Sequence, residues 1–370
     1  MSPPPGLHEQ EPEIAVQARR EPPSPFAAFL RRGRPSWVTI IGLALVGLIV
    51  LWLLVNLVRE PQVFVNIFLI GLTNGSTYAL IALGYTLVYG ILQLINFAHG
   101  DVFALSGLVS STIILSVFDL NTVNEAAGAI VLGMGVALVV AMAFGSILNA
   151  SIEFVAYRRL RHAPRLAALI SAIGMSFFLQ GVGLYFWGVQ YTTTPALVPN
   201  SNVFTFDKVG YQWDKLATVF LTVPLLLLLL WLVTSTRQGK AMRATSQDPD
   251  AAAMMGINVN RTISFTFALA GALAGSAGLI YLLQFTVIRY DQGFQLGLIA
   301  FTAAVLGGIG NLTGAVLGGV LIGLIEAFNE GLEWASPGSD WTRTIVFGLL
   351  IAILVFRPEG LLGERTPEGG

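Results

Sequence analysis

The sequence predicts an all-α polytopic membrane protein with about eight to ten transmembrane helices. Its 370 residues are 55% hydrophobic and only 11% charged, and the mean hydropathy is +0.73. A soluble domain carries about 25% charged residues, so this composition excludes an ordinary soluble enzyme and a disordered protein. The apolar residues also form continuous runs, whereas the strands of a membrane β-barrel alternate between apolar and polar residues.

The composition also excludes several kinds of site. The net charge of −1 lacks the surplus of Lys and Arg that a phosphate-binding surface needs, which argues against nucleic-acid binding. The chain has no Cys, which removes disulfides, thiolate metal sites and thiol nucleophiles. Its three His (His8, His99 and His162) leave little material for a metal centre. We therefore expect no enzymatic activity, no catalytic residues and no metal site.

The chain divides into regions of different composition. Residues 1–36 contain many prolines among Glu and Arg of mixed sign, which predicts a disordered tail. Residues 37–58 form the first predicted transmembrane helix, residues 62–363 the main membrane domain, and residues 364–370 a short tail. The first apolar run begins too late and is too long for a secretory signal peptide.

Ten apolar segments follow the tail. They are Trp37–Val58, Val63–Gly90, Val102–Phe118, Ala126–Leu148, Leu166–Gly188, Leu216–Thr234, Thr262–Ile288, Phe294–Gly310, Thr313–Phe328 and Arg343–Phe356. A straight span needs about 20 residues, and the last three segments are shorter. We therefore expect broken or re-entrant helices, and the sequence leaves open whether residues 294–328 cross twice or fold back.

The distribution of positive charge predicts the orientation of the spans. With ten crossings, 15 of the 20 Lys and Arg residues fall on one side, which the positive-inside rule assigns to the cytoplasm. Connections 119–125 and 329–342 contain no Lys or Arg and several acids, as expected on the outer side. Both termini are then cytoplasmic.

The same count predicts two repeats of opposite topology, common in transporters. Segments two to five start outside, segments seven to ten start inside, and the halves cover residues 63–190 and 262–356. In each half a polar break precedes the short second segment, at Asn96–Asp101 and at Arg289–Gly293. We hypothesise that a translocation path lies between these breaks.

The cytoplasmic connection 235–261 contains a predicted short helix of about two turns. Asp248 is a good N-cap, Pro249 suits the first helical position, and Gly256 can end the helix in a left-handed conformation. Met254 and Met255 are adaptable apolar side chains suited to a groove on a partner protein. The residues alone equally allow this helix to lie on its own bundle or at the lipid interface.

Other motifs have both a structural and a functional interpretation. Thr73–Ser76 is a polar stretch inside a span that either lines a path for a polar solute or forms a kink satisfied by neighbours. His99 beside Asp101 either shuttles a proton or makes local hydrogen bonds. Gly310, Gly314 and Gly318 are spaced four apart, which predicts one face of a closely packed helix or a thin path wall. No phosphate-binding loop is present, so any ATP would be hydrolysed by another chain.

Several of these stretches together resemble the LivH-type permease subunits of the branched-chain amino-acid ABC importer family. The resemblance covers about residues 62–363 and is carried by Gly71–Leu80, Ile95–Asp101, Gly239–Ala244, Met255–Ile257, Ala304–Gly319, Gly323–Glu326 and Arg357–Gly363. The tail and the first span are not part of it.

The resemblance implies a permease domain in the cytoplasmic (inner) membrane of a bacterium or archaeon. The implied partners are a second related permease, two cytoplasmic ATP-binding subunits and an extracytoplasmic substrate-binding protein, in the lipid bilayer. This chain would bind no cofactor, because the partner subunits use the ATP. The implied ATPase contact comprises Arg243, Asp248, Ala251, Ala252, Met254, Met255 and Gly256, with 248–256 as the coupling helix. Predicted path residues are Thr73, Asn74, Gly75, Tyr78, Asn96, His99, Gly308 and Asn311.

One alternative has a different mechanism. A channel or secondary carrier for urea, short amides or another small polar solute would work without ATPases. No series of carboxylates runs through the spans, as a proton-driven carrier usually needs, which favours the importer.

Overall fold

The computed structural model describes residues 37–120, 126–161, 163–199, 201–206 and 209–363. The predictions for residues 1–36 and 364–370 lie outside these ranges. The chain forms two units, Met1–Val55 and Asn56–Gly370. The described part of the first unit belongs to helix α1 (Trp37–Arg59), which is apolar along its length and largely exposed.

Eleven further helices follow α1 in the described residues. They are α2 (Pro61–Leu92), α3 (Ala98–Thr112), α4 (Ala127–Ile152), α5 (Arg165–Trp187), α6 (Trp213–Ser235), α7 (Arg237–Gln247), α8 (Pro249–Met254), α9 (Val259–Phe285), α10 (Gln292–Gly307), α11 (Leu312–Gly331) and α12 (Ser339–Phe356). A π-helical turn, Ile113–Val117, extends α3. A second, Glu153–Tyr157, extends α4 into a last turn at Arg158–Leu160.

All ten predicted apolar segments are helical, which confirms an all-α polytopic membrane protein. Within the described ranges, eight helices are long and apolar enough to cross a membrane. The short helix α10, with 16 residues, is below that length. Residues 294–328 form two helices, α10 and α11, joined by the turn at residues 308–311.

The two polar breaks are shorter than predicted, because the helices extend into them. Helix α3 already includes His99, Gly100 and Asp101, and α10 includes Gln292 and Gly293. The first helix of each half ends in the same way: Gln93 after α2 has φ 53° and Thr286 after α9 has φ 57°. A left-handed residue ends a helix and turns the chain away from its axis.

The first helix of each half packs on the third helix of the other half. Helix α2, the first of its half, packs most extensively on α11, the third helix of the other half, and α9 packs in the same way on α4. Glycines allow both contacts: a Cβ on Gly75 would lie 2.7 Å from Cα of Val320, and one on Gly271 would lie 2.7 Å from Cβ of Asn149. This reciprocity is the packing expected of two repeats of opposite topology.

The sequence did not predict the short strands between helices. Strand β1 (Thr192–Thr193) pairs antiparallel with β4 (Val287–Ile288), and β2 (Asn202–Phe206) forms a hairpin with β3 (Val209–Gln212). The first pair joins the connection after α5 to the break before α10. The prediction for Gly310 was also wrong, because this residue lies in the turn before α11 with φ 96° and not on the helix.

The core consists mainly of α2, α3, α9 and α10, whereas α4, α5, α6 and α12 are mostly exposed. Their exposed residues are large and apolar, such as Val139, Phe178 and Leu227. Such a surface is typical of contact with lipid or with other membrane-spanning chains.

Candidate functional site

The connection between α6 and α9 contains the short helix that the sequence predicts. The Oδ1 atom of Asp248 accepts hydrogen bonds from the backbone N–H groups of Asp250 (3.0 Å) and Ala251 (2.9 Å), which caps the start of α8. The helix ends at Met254, and the chain turns away at Gly256, whose φ of 85° favours glycine.

The two methionines at the end of α8 are strongly exposed. Met254 is 83% and Met255 84% exposed, whereas Ala252 is buried. Ala251, Ala252 and Gly256 therefore give the segment its shape, and the methionines form an apolar surface without a partner in the described chain.

Arg243 has a different position from the methionines. Its guanidinium donates to the backbone carbonyls of Val233 and Thr234, the latter at 3.3 Å, and these residues belong to the last turn of α6. Arg243 therefore anchors α7 to the end of a membrane helix. A cationic side chain there also offsets the negative end of the helix dipole.

A buried carboxylate connects the start of α9 with the end of α4. Glu153 is fully buried and accepts hydrogen bonds from Arg158 (3.1 Å), Arg161 and Ser264 (2.7 Å). Arg161 also donates to Asn260, two residues after the N-cap of α9, at 2.6 Å. The sequence showed Arg158 and Arg161 only as cytoplasmic charges, and their partner could not be identified because it depends on helix packing.

A second buried network of hydrogen bonds fixes the position of the first polar break, Asn96–Asp101. Asn96 donates to Asn149 (3.1 Å) and accepts from the hydroxyl of Tyr157 (2.9 Å), and Asn149 donates to the carbonyl of Phe267 (2.7 Å). The predicted path residue Asn96 thus ties the break to α4 and α9. Tyr157 belongs to the π-helical turn that also contains Glu153.

Four predicted path residues lie on α2, which is continuous through them. The hydroxyls of Thr73 and Tyr211 are 2.8 Å apart, and Gln284 donates to Asn74 at 2.6 Å. Burial raises the pKa of Tyr211 above its ordinary value of 10.0, against the opposing effect of the Thr73 hydrogen bond. Gly75 lies against α11, and Tyr78 is buried.

The other three predicted path residues contact different parts of the protein. His99 is fully buried and packs edge-on against Tyr85, with ring centroids 4.8 Å apart. Gly308 and Asn311 contact the C-terminal segment: Asn311 donates to the carbonyl of Leu362 at 2.7 Å, and Gly308 lies against Gly363.

Asp101 makes a contact that the sequence did not indicate. Its Oδ2 atom accepts a hydrogen bond of 2.5 Å from Ser176 of α5, and Ser176 in turn accepts one of 3.2 Å from Gln180. The backbones of Gly100 and Gly293 are in contact beside it, so the first turns of α3 and α10 meet here.

An open cleft lies between the ends of α2 and α6, helix α7 and the start of α11. Its volume is about 620 Å³, and its polar lining includes Gln93, Thr234, Arg243, Asn311 and Thr313. Two of the predicted site residues, Arg243 and Asn311, therefore share one cleft.

Comparison with known proteins identifies the family. A family model described as the permease component of branched-chain amino acid transport systems matches residues 67–354. The chain is 40% identical over 303 residues to the high-affinity branched-chain amino acid transport system permease protein BraD of Pseudomonas aeruginosa, covering 80% of this chain and 95% of the relative. It is 39% identical over 305 residues to LivH of Escherichia coli K12, with the same coverage.

A more distant relative has the same description. The probable branched-chain amino acid transport permease protein LivH of Methanocaldococcus jannaschii is 29% identical over 296 residues, covering 77% of this chain and 88% of the relative. The family model and the two relatives near 40% identity cover most of the chain. This multi-pass membrane protein therefore belongs to the family of branched-chain amino acid transport system permease components.

Proposed function

We propose that this chain is the transmembrane permease subunit of an ATP-driven ABC importer for branched-chain amino acids. The relatives of about 40% identity are named as permeases of high-affinity branched-chain amino acid transport systems. The observation that carries the proposal is the exposed pair Met254 and Met255 on a capped helix between two membrane helices. Two exposed methionines on a short helix form an apolar surface that fits a groove of a partner protein.

The proposed assembly contains four kinds of protein. A second related permease completes the path, two cytoplasmic ATP-binding subunits bind helix α8 of each permease, and an extracytoplasmic binding protein delivers the amino acid. The ATP-binding subunits hydrolyse the ATP, and this chain performs no covalent chemistry and binds no cofactor. The positive-inside rule supports a cytoplasmic-membrane location with both termini in the cytoplasm.

The contacts of the connection explain how a movement of α8 would reach the membrane helices. Arg243 attaches α7 to the end of α6, and Asn258 caps α9 directly after α8. Glu153, Arg158 and Arg161 then join α9 to α4. Closure of the ATPase pair would therefore displace α4, α6 and α9 together and alternate the path between its outward-open and inward-open states.

Affinity purification in mild detergent, followed by mass spectrometry, tests the assembly. The wild-type chain is compared with the double variant Met254→Glu/Met255→Glu and with the control Ser235→Glu/Gln247→Glu, which adds the same charge at other exposed positions. We expect two ATPases and a second permease with the wild type and the control, and their loss from the methionine variant. A folded wild-type chain that is purified alone would overturn the importer and favour a channel or carrier.

Transport is tested with the purified complex in proteoliposomes. Import of radiolabelled L-leucine is expected only with the binding protein outside and ATP available to the ATPases. Uptake by the chain without ATPases would contradict the proposed mechanism.

A further inference from the structure

One face of α5 carries a polar side chain where an apolar one is expected. Helix α5 packs against α3, and its other side is exposed. Along that side, Gly174 and Gly181 have no atom of another segment within 4 Å of a Cβ position. The half-buried Gln180 lies beside them, inside an apolar span of 22 residues.

The direction of the Gln180 amide follows from its hydrogen bonds. The hydroxyl of Ser176 donates its only proton to Asp101, so Gln180 must donate its amide N–H to Ser176. The carbonyl oxygen of Gln180 is then left as an acceptor, and it has no hydrogen-bond partner among residues 37–120, 126–161, 163–199, 201–206 and 209–363. Because the chain of donors ends at a carboxylate, it polarises the amide and strengthens this acceptor.

Asp101 is paired with no cationic side chain in the part of the chain that the structure describes. Its side chain is fully buried, and its Oδ1 atom has no hydrogen-bond partner there. The ion pairs of the described residues involve Glu153 and Asp291 instead. Ionisable groups inside spans face a cavity or a pathway and pair with an opposite charge, since lipid cannot compensate them.

An uncompensated carboxylate and a free amide carbonyl together fit one kind of ligand group, a cation that donates hydrogen bonds. We propose that the side-chain carbonyl of Gln180 binds the ammonium group of the transported amino acid, that the buried Asp101 attracts this group from behind without touching it, and that Ser176 positions both side chains. This inference rests on the proposed function, and it places the solute beside the exposed face of α5.

The first experiment measures import of L-leucine per ATP hydrolysed by the reconstituted complex. Gln180→Met and Asp101→Asn keep the side-chain volume and remove the acceptor or the charge. We expect each to lower the ratio about tenfold, the effect of one hydrogen bond to a charged group. ATPase stimulation by the liganded binding protein should stay near wild type. For the positioning residue, Ser176→Ala should lower the ratio and Ser176→Thr, which keeps the hydroxyl, should restore it.

The second experiment uses the absence of Cys from this chain. A Gln180→Cys variant is labelled in the complex with a small thiol reagent, with or without millimolar L-leucine. We expect leucine to slow labelling severalfold and its analogue without the amino group, 4-methylpentanoate, to have no effect. A Phe186→Cys control on the same helix should be labelled equally in all three conditions.

The results separate the two proposals. A wild-type complex that does not import leucine contradicts the proposed function. If the wild type imports leucine while Gln180→Met and Asp101→Asn keep the normal ratio, the ammonium site alone is overturned. If the variants lose assembly and ATPase activity together with import, the three residues hold helices together and the ammonium site is likewise overturned.

Discussion

Gly100 and Gly293 lie backbone against backbone, each at the first turn of the short second helix of its half. A methyl group on either residue would overlap the carbonyl oxygen of the other. The same crossing places Asp101 beside α5, so it determines the position of the proposed ammonium site.

We predict that Gly100→Ala and Gly293→Ala each destabilise the protein by roughly 1–3 kcal/mol, the usual cost of overpacking. The measurement is thermal unfolding of the purified protein in detergent. Gly135→Ala is the control, because a methyl group there has no neighbour within 4 Å. If Gly100→Ala and Gly293→Ala both melt at the wild-type temperature, the two helices can move apart with little loss of free energy, and the prediction is wrong.

Glu153→Ala should be among the most destabilising single substitutions at the ends of the membrane helices. It would leave Arg158 and Arg161 without their shared carboxylate, and removing one partner of a buried ion pair costs about 3–5 kcal/mol. Arg159→Ala, an exposed residue of the same turn, serves as the control. Equal thermal stability of the two variants would contradict the importance of the network.

Asp248→Ala should weaken binding of the proposed ATP-binding subunits while the membrane domain stays folded. The substitution removes the cap of α8, which is worth about 1 kcal/mol, and a helix of six residues has little other stabilisation. Copurification of the ATPases and the melting temperature are measured together. Asp250→Asn, which changes a neighbouring acid outside the cap, should retain binding.

Asn311 has two separable contacts. It caps α11 by accepting from the N–H of Gly314 (3.0 Å) and holds the C-terminal segment by donating to Leu362 (2.7 Å). Asn311→Asp keeps the acceptor and loses the donor. We therefore expect faster hydrogen exchange in residues 357–363 with little change in α11, and Asn311→Ala should accelerate exchange in both. Identical exchange in the two variants would contradict this division.

The raised pKa of Tyr211 predicts that the protein loses stability at alkaline pH. Burial raises its pKa in the folded state, so folding favours the protonated phenol. The stability it contributes is complete below its unfolded pKa of about 10 and is lost as the pH rises towards the folded value. Thermal unfolding of the wild type between pH 9 and 11.5 should therefore decline more steeply than that of Tyr211→Phe. Parallel curves would show that the phenol does not titrate with unfolding.

The sequence was most informative where a single segment determines the structure. Continuous apolar runs predicted ten of the twelve helices of the described residues, and the Asp248, Pro249 and Gly256 pattern predicted a capped helix that the structure contains. Both depend on the residues within one stretch of chain.

The sequence was least informative where the partner lies far away in the chain. Glu153 and Ser264 are 111 residues apart, and Asp101 and Ser176 are 75 apart. Strands β1 and β4 have only two residues each, too few for a hydropathy pattern. The Gly310 prediction failed because regular spacing of glycines does not distinguish a helix face from a turn before the helix.

The exchange of partners between the halves has a consequence for biosynthesis. When residues 61–187 have left the ribosome, α2 and α4 already present their glycine faces, but α9 and α11 have not yet been made. The first half must therefore remain in the membrane with unpaired packing surfaces while the β2–β3 hairpin, α6 and the connection between α6 and α9 are synthesised. Assembly of the core can only follow insertion of the second half, so truncated chains that end before α9 should be substrates for membrane quality-control proteases.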